Sequence, residues 1–179
     1  MLKIFSLSFF FLFSLFLSAS AQPSPNISIG PEFGLPSGNF TNISGIGLGA
    51  SVKADFPIAP EVSLTLDAGF MNFFGKKNKL INIQDLTYMP IKAGIKYHLS
   101  EGIYAEAQLG AAFPLNTGQA RLFAWSPGLG NLFKLRSENL LDVSLRYEGW
   151  TGENPTPSFL NTSNTKGFVA IRFAYVFSL

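Results

Sequence analysis

The feature that most constrains this chain is the placement of its charges. Side chains along a β-strand alternate between two faces, so residues two apart share a face. From Gly45 to Phe56, the set Ile46, Leu48, Ala50, Val52, Ala54 and Phe56 is wholly apolar. The interleaved set is Gly45, Gly47, Gly49, Ser51, Lys53 and Asp55. The same split recurs along the chain, and the apolar set carries no charge in any segment. A soluble barrel usually places its apolar face inside. A charge-free apolar face backed by a polar, charged one fits a closed sheet whose outer solvent is hydrocarbon.

Composition supports this reading. Hydrophobic residues make up 47% of the 179 residues and charged ones 13%, with a mean hydropathy of +0.25. Past the N-terminus, no uncharged apolar run reaches the ~20 residues of a spanning helix, so strands must carry the apolar load. The N-terminus reads as a separate unit. Lys3, the Phe- and Leu-rich run from Ile4 to Leu17, and the small residues Ser18-Ala19-Ser20-Ala21 have the order of a secretory signal peptide cleaved after Ala21. The alternative, a membrane-anchoring helix, would need a longer apolar core. The expected organisation is therefore a signal peptide over 1–21 and one domain over 22–179. The absence of cysteine excludes a disulfide framework and a cysteine-linked lipid, and a net charge of +2 offers nothing to attract nucleic acid.

Eight alternating segments follow, at roughly 27–35, 44–56, 62–73, 87–98, 103–113, 122–131, 140–148 and 167–179. Their lengths suit tilted membrane strands of ~9–11 residues with some overhang. The connections alternate in length. Pro57 to Glu61, Leu99 to Gly102 and Leu132 to Asn139 are the short ones; Pro36 to Ile43, Phe74 to Leu86, Pro114 to Arg121 and Gly149 to Lys166 are mostly longer and rich in Asn, Gly, Thr and Pro. That asymmetry predicts short periplasmic turns and long external loops. An open sheet edge in lipid would leave unpaired backbone groups at a cost of several kcal/mol each, so the sheet must close. The expected fold is all-β: an eight-stranded antiparallel transmembrane β-barrel.

Parity places eleven charges inside: Glu32, Asp55, Asp67, Glu106, Asp142 and Glu148 against Lys53, Lys92, Lys96, Arg146 and Arg172. An eight-stranded bore is only wide enough for side chains to fill it, so six acids and five bases should pair across it as a lumen ion network. An ion path is the alternative, although a selective pore would favour one sign of charge. Inner glycines such as Gly45, Gly47, Gly49, Gly94 and Gly110 either relieve crowding and permit strand coiling or leave small water pockets. Two aromatic belts are expected at the membrane interfaces. Phe70, Phe73, Phe113, Phe123, Trp125 and Tyr147 would lie toward the long loops, and Phe56, Tyr97, Tyr175 and Phe177 toward the short turns.

Little in the sequence points to catalysis. The one histidine, His98, falls at the short-turn end of the fourth strand with Ser100 beside it, away from the outer rim where barrel lipases and acyl-modifying enzymes place their catalytic groups. One histidine alone is also a poor metal site. No catalytic, metal or cofactor residues are expected. The candidate contacts are in the loops: Lys76, Lys77 and Lys79 form a basic cluster able to meet phosphates, or simply a solvated run, and Trp150 offers a large amphipathic contact or a membrane anchor. Asn-X-Ser/Thr triplets at Asn26, Asn39, Asn42 and Asn161 read as loop composition.

Three stretches carry a family likeness: Met89-Pro90-Ile91-Lys92-Ala93-Gly94-Ile95-Lys96-Tyr97, then Tyr104-Ala105-Glu106-Ala107-Gln108-Leu109-Gly110, and the closing strand Phe168 to Leu179, where Phe173, Tyr175 and Phe177 alternate toward the terminus. In these the chain resembles the small eight-stranded outer-membrane barrels of the OmpA and OmpX kind, in particular the porin-like outer-membrane β-barrel domain family. Members often end in Phe, where this chain has Leu179. The resemblance implies a monomer in the outer membrane of a Gram-negative bacterium, in contact with outer-membrane lipid and lipopolysaccharide and assembled by the barrel-assembly machinery. It implies a non-enzymatic structural or surface-interaction role, with a narrow channel or a lipid-modifying enzyme as alternatives.

Overall fold

The computed structural model describes residues 24–76, 84–135, 139–152 and 165–178. The expected signal peptide and the loop residues Lys77 and Lys79 lie outside them. Eight strands run in chain order: β1 (Asn26–Ser37), β2 (Ser44–Ala59), β3 (Val62–Gly75), β4 (Leu86–His98), β5 (Ile103–Pro114), β6 (Leu122–Lys134), β7 (Leu140–Thr151) and β8 (Thr165–Ser178). A short 3-10 helix, Gly38–Asn42, sits in the first long connection. Each strand pairs antiparallel with the next, and β8 returns to pair with β1, closing the barrel. Closure leaves no edge with unsatisfied backbone groups, the condition that hydrocarbon imposes.

Every strand keeps the alternation that the sequence shows. In β3, Ser63, Thr65, Asp67 and Met71 point inward and are buried, while Leu64, Leu66 and Phe70 point outward and are exposed. Among the described residues no charged side chain occupies an outward strand position. A soluble monomer rarely exposes an apolar patch larger than a few hundred Å², yet here the apolar band runs around all eight strands. Lipid is the solvent that satisfies it. No helix among the described residues is long and apolar enough to cross a membrane.

Most strands extend further than the alternation alone indicated. β2 continues to Ala59 through a register shift at Pro57, where an irregular pairing accommodates the missing proline donor, so only Pro60 and Glu61 remain as the turn. A second shift between Ser44 and Gly47 places Gly45 in an irregular pairing rather than on the regular inner face. The β4–β5 turn closes on Gly102, whose φ of 152° disfavours a side chain; its amide donates to the Ser100 carbonyl. On the outer face, the Trp125 ring lies over Gly149 and the Tyr147 hydroxyl over Gly167, and the two rings meet at a tilt of 45° with centroids 5.6 Å apart. The aromatic pair shields a glycine stretch of sheet that would otherwise lack side-chain cover.

Candidate functional site

All eleven charges assigned to the inner face are buried inside the barrel. They sort into two clusters, and no ion pair among the described residues joins one to the other. The first lies toward the short-turn end. Lys53 Nζ reaches Glu106 Oε2 at 3.1 Å and Asp142 Oδ2 at 3.3 Å, Lys96 pairs with Asp55, and Arg172 Nη1 reaches Asp142 at 3.4 Å. Arg172 also donates to Ser51 Oγ at 2.7 Å and to the Ser28 carbonyl at 3.1 Å, tying β8 to β1 and β2. Three acids meet three bases here, so the cluster is neutral.

Tyr104 stands in the middle of this cluster. Its hydroxyl donates to Asp142 at 2.5 Å, and the Lys96 and Lys53 ammonium groups lie 4.5 and 5.3 Å from its ring centroid. Gly130 on the neighbouring strand leaves room for the ring; a Cβ there would come within 2.3 Å of it. The aromatic ring thus attracts both cations, while its hydroxyl serves Asp142, the acid that Lys53 shares with Arg172.

The second cluster lies toward the long loops and centres on Arg146. Its guanidinium contacts Glu32, Asp67 at 3.3 Å and Glu148 at 3.4 Å. Glu148 also accepts from Lys92 at 2.5 Å, Ser126 at 3.0 Å and the Trp150 indole at 3.1 Å. Three acids here meet two bases, so Arg146 must serve several carboxylates at once. A planar guanidinium with five donors can do this; an ammonium cannot match the geometry.

Above this cluster the bore is plugged by apolar side chains. Phe73, Trp150 and Phe168 meet edge to face at centroid separations of 4.8 to 6.0 Å, and Phe40 folds in from the 3-10 helix, 4.9 Å from Phe73. Tyr88, Met71 and Leu122 complete the packing. Gly34 and Gly47 face the Phe73 ring, where a Cβ would stand 2.9 and 2.5 Å from it. These inner glycines make space for the plug.

The plug corrects two expectations. Trp150 is neither a surface contact nor a membrane anchor: it is 1% exposed, in β7, with its indole turned onto Glu148 inside the barrel. The strand runs through Thr151, so Trp150 keeps the inward parity of Arg146 and Glu148. Phe73 likewise belongs to the lumen and not to the outer belt, since it shares parity with Asp67. Of the remaining belt residues, Phe70, Phe123 and Tyr147 are exposed and Phe113 and Trp125 half-buried; at the other end Phe56, Tyr97 and Phe177 are exposed and Tyr175 half-buried.

Parity could have found Tyr104, two residues before Glu106, as a lumen residue; no sequence signal marks Phe40, which reaches the plug from a loop. Lys76 is exposed, and its amide donates to the Ile43 carbonyl. His98 packs its ring 6.3 Å from Tyr104 at the short-turn mouth. No group of three or more His, Asp or Glu residues among the described ones is arranged to hold a metal.

The sequence matches no protein-family model and no curated protein sequence. Solved structures do share its fold. Neisserial surface protein A aligns with 87% of this chain and 97% of its own at a TM-score of 0.59 and 12% identity. Ail of Yersinia pestis, in a phospholipid bilayer nanodisc, aligns over 87% and 100% at 0.55 and 15%. The outer membrane protein OprG of Pseudomonas aeruginosa aligns over 88% and 98% at 0.52 and 13%. At these identities the likeness is one of fold: the chain is built as a small eight-stranded outer-membrane barrel.

Proposed function

We propose that this chain is an integral protein of a Gram-negative outer membrane, non-enzymatic and monomeric, whose sealed barrel holds its loops at the cell surface. The observation that carries the reading is the closure of the bore. Two ion-paired clusters fill the middle, and the ring cluster of Phe40, Phe73, Trp150 and Phe168 lies across the long-loop end. A channel would need a continuous polar path through both. The uncharged outer band supports residence in a bilayer, and the shared fold of Ail, Neisserial surface protein A and OprG supports the outer membrane as that bilayer.

A rigid scaffold of this kind commonly leaves recognition to its loops. The loop from Lys76 to Asp85 and the connection over 152–164 are the longest, and the basic run at Lys76, Lys77 and Lys79 suits anionic groups such as the phosphates of lipopolysaccharide. The eleven inner charges then serve as internal bracing rather than as an ion path.

The test combines conductance with loop deletion. Protein reconstituted in planar bilayers should give very small currents. Shortening both loops should preserve heat-modifiable gel mobility while removing binding to lipopolysaccharide-coated surfaces. Large, steady, ion-selective currents from the intact protein would overturn the sealed-barrel reading. Undiminished binding after both deletions would overturn the loop reading.

A further inference from the structure

The outer face is not uniform around its long-loop rim. On β6, β7, β8 and β1, polar groups stand among the belt aromatics, and strand pairing sets them in rows. Phe123 is opposite Thr151, and Thr151 opposite Thr165. One row deeper, Trp125 is opposite Gly149, Gly149 opposite Gly167 and Gly167 opposite Ser37. Directly opposed residues share a face, so these groups look outward with the exposed Phe123. Arg121, one residue before β6, is exposed at the top of the sector, and its carbonyl lies 3.1 Å from where a Cβ at Gly152 would stand, beside the end of β7.

This sector has donors to spare. The Arg121 guanidinium and the Trp125 indole N–H have no hydrogen bond or ion pair among the described residues. The Tyr147 hydroxyl accepts from Ser37 Oγ at 3.5 Å, and its own proton has no acceptor there. The Thr151 and Thr165 hydroxyls meet at 3.0 Å, which uses one of their two protons. No described carboxylate lies on the outer face of these four strands. Donors left unused at the edge of hydrocarbon cost free energy until acceptors reach them.

We propose that this sector binds lipid A, the phosphorylated glycolipid part of lipopolysaccharide. The assignment rests on the outer-membrane reading and puts the partner on the barrel wall, apart from the loops. Arg121 takes a phosphate through a bidentate pair, the hydroxyls of Thr151, Thr165 and Tyr147 take sugar and acyl-linkage oxygens, and the exposed wall deeper down takes the acyl chains. Width and charge choose this ligand. The donors run from β6 to β1, three inter-strand spacings or about 14 Å, which suits a disaccharide with its linked chains better than one glycerophosphate. The other exposed rim cation, Lys76, follows Gly75, whose amide donates to the Asp85 carboxylate at 2.9 Å, so an anion there meets an acid as well. Around Arg121 the described outer face offers positive charge and donors alone.

The test uses the full mature chain in phosphatidylcholine nanodiscs, with lipid A titrated in and the two indole N–H signals followed by NMR. Lipid A should shift the Trp125 signal saturably and leave that of Trp150, buried in the plug, unmoved. Phosphatidylglycerol at equal charge, and lipid A stripped of its phosphates, should each bind at least about tenfold more weakly. Arg121→Gln should weaken lipid A binding by about tenfold with heat-modifiable mobility unchanged, since the exposed side chain holds no bond to the described barrel. Lys76→Gln should change it by less than about twofold. No saturable shift, equal binding of phosphatidylglycerol, or undiminished binding in Arg121→Gln would overturn the assignment. Shortening both long loops should leave binding in place; a loss with the loops but not with Arg121→Gln would move the site to them and overturn it as well. The outer-membrane reading is tested apart, by density fractionation of cell envelopes, and its failure would show there whatever lipid A does in nanodiscs.

Discussion

Replacing Arg146 by Met tests whether the lumen charges brace the barrel. The side chain is 2% exposed and contacts Glu32, Asp67 and Glu148. Met fills similar volume, so the change removes charge and hydrogen bonds more than packing. Glu148 keeps Lys92 at 2.5 Å, whereas Glu32 and Asp67 lose the only ion pair within 4 Å that the described residues give them. Removing one partner of a buried pair costs ~3–5 kcal/mol, and two stranded carboxylates place the expectation in the upper part of that range. At 1.4 kcal/mol per tenfold, the folding equilibrium should fall by roughly a thousandfold. The assay is urea unfolding in phospholipid vesicles, followed by heat-modifiable gel mobility. The triple variant Arg146→Met, Glu32→Gln, Asp67→Asn should recover at least about half of the loss, because neutral side chains no longer need a buried counter-charge. A loss below about 1 kcal/mol, the scale of an exposed pair, would refute the bracing argument. So would a triple variant no more stable than the single one.

Further outcomes follow from the same geometry. Leu66, 54% exposed on the outer face of β3, should tolerate Arg poorly: Leu66→Arg should cost ~2–4 kcal/mol in vesicle unfolding, whereas Glu61→Arg in the exposed β2–β3 turn, which loses only the exposed hydrogen bond from Tyr97, should cost no more than about 1 kcal/mol. The two tryptophans should report different solvents: brominated lipids should quench Trp125, on the outer face, in a Trp150→Phe background, and leave Trp150, inside the plug, bright in a Trp125→Phe background. Equal quenching would contradict the inward placement of Trp150. Phe40→Ala should destabilise the barrel by ~3–5 kcal/mol at most, less where the loop relaxes, and should leave conductance small because both ion-paired clusters lie beneath it. A large open-channel current from that variant would show that the plug alone seals the bore.

The sequence by itself determined the barrel. Its period-two alternation, with charges confined to one parity, fixes which side of each strand meets lipid, because a charge in hydrocarbon costs several kcal/mol and leaves a legible gap in the pattern. The same parity brought Glu32, Lys53, Asp55, Asp67, Lys92, Lys96, Glu106, Asp142, Arg146, Glu148 and Arg172 to the inner wall. Taken through to the strand ends, it would also have turned Phe73 and Trp150 inward. Only the tertiary structure decided which charges meet. Lys53 and Glu106 are 53 residues apart, and Arg146 and Asp67 are 79 apart. Their contacts depend on the stagger of tilted strands around a closed sheet, which no local pattern encodes. The fold likewise decided that Phe40, a loop residue outside any alternation, would close one mouth, while the other keeps an open cavity of about 200 Å³. Local alternation is set by the solvent on each face; partner choice across the bore is set by closure.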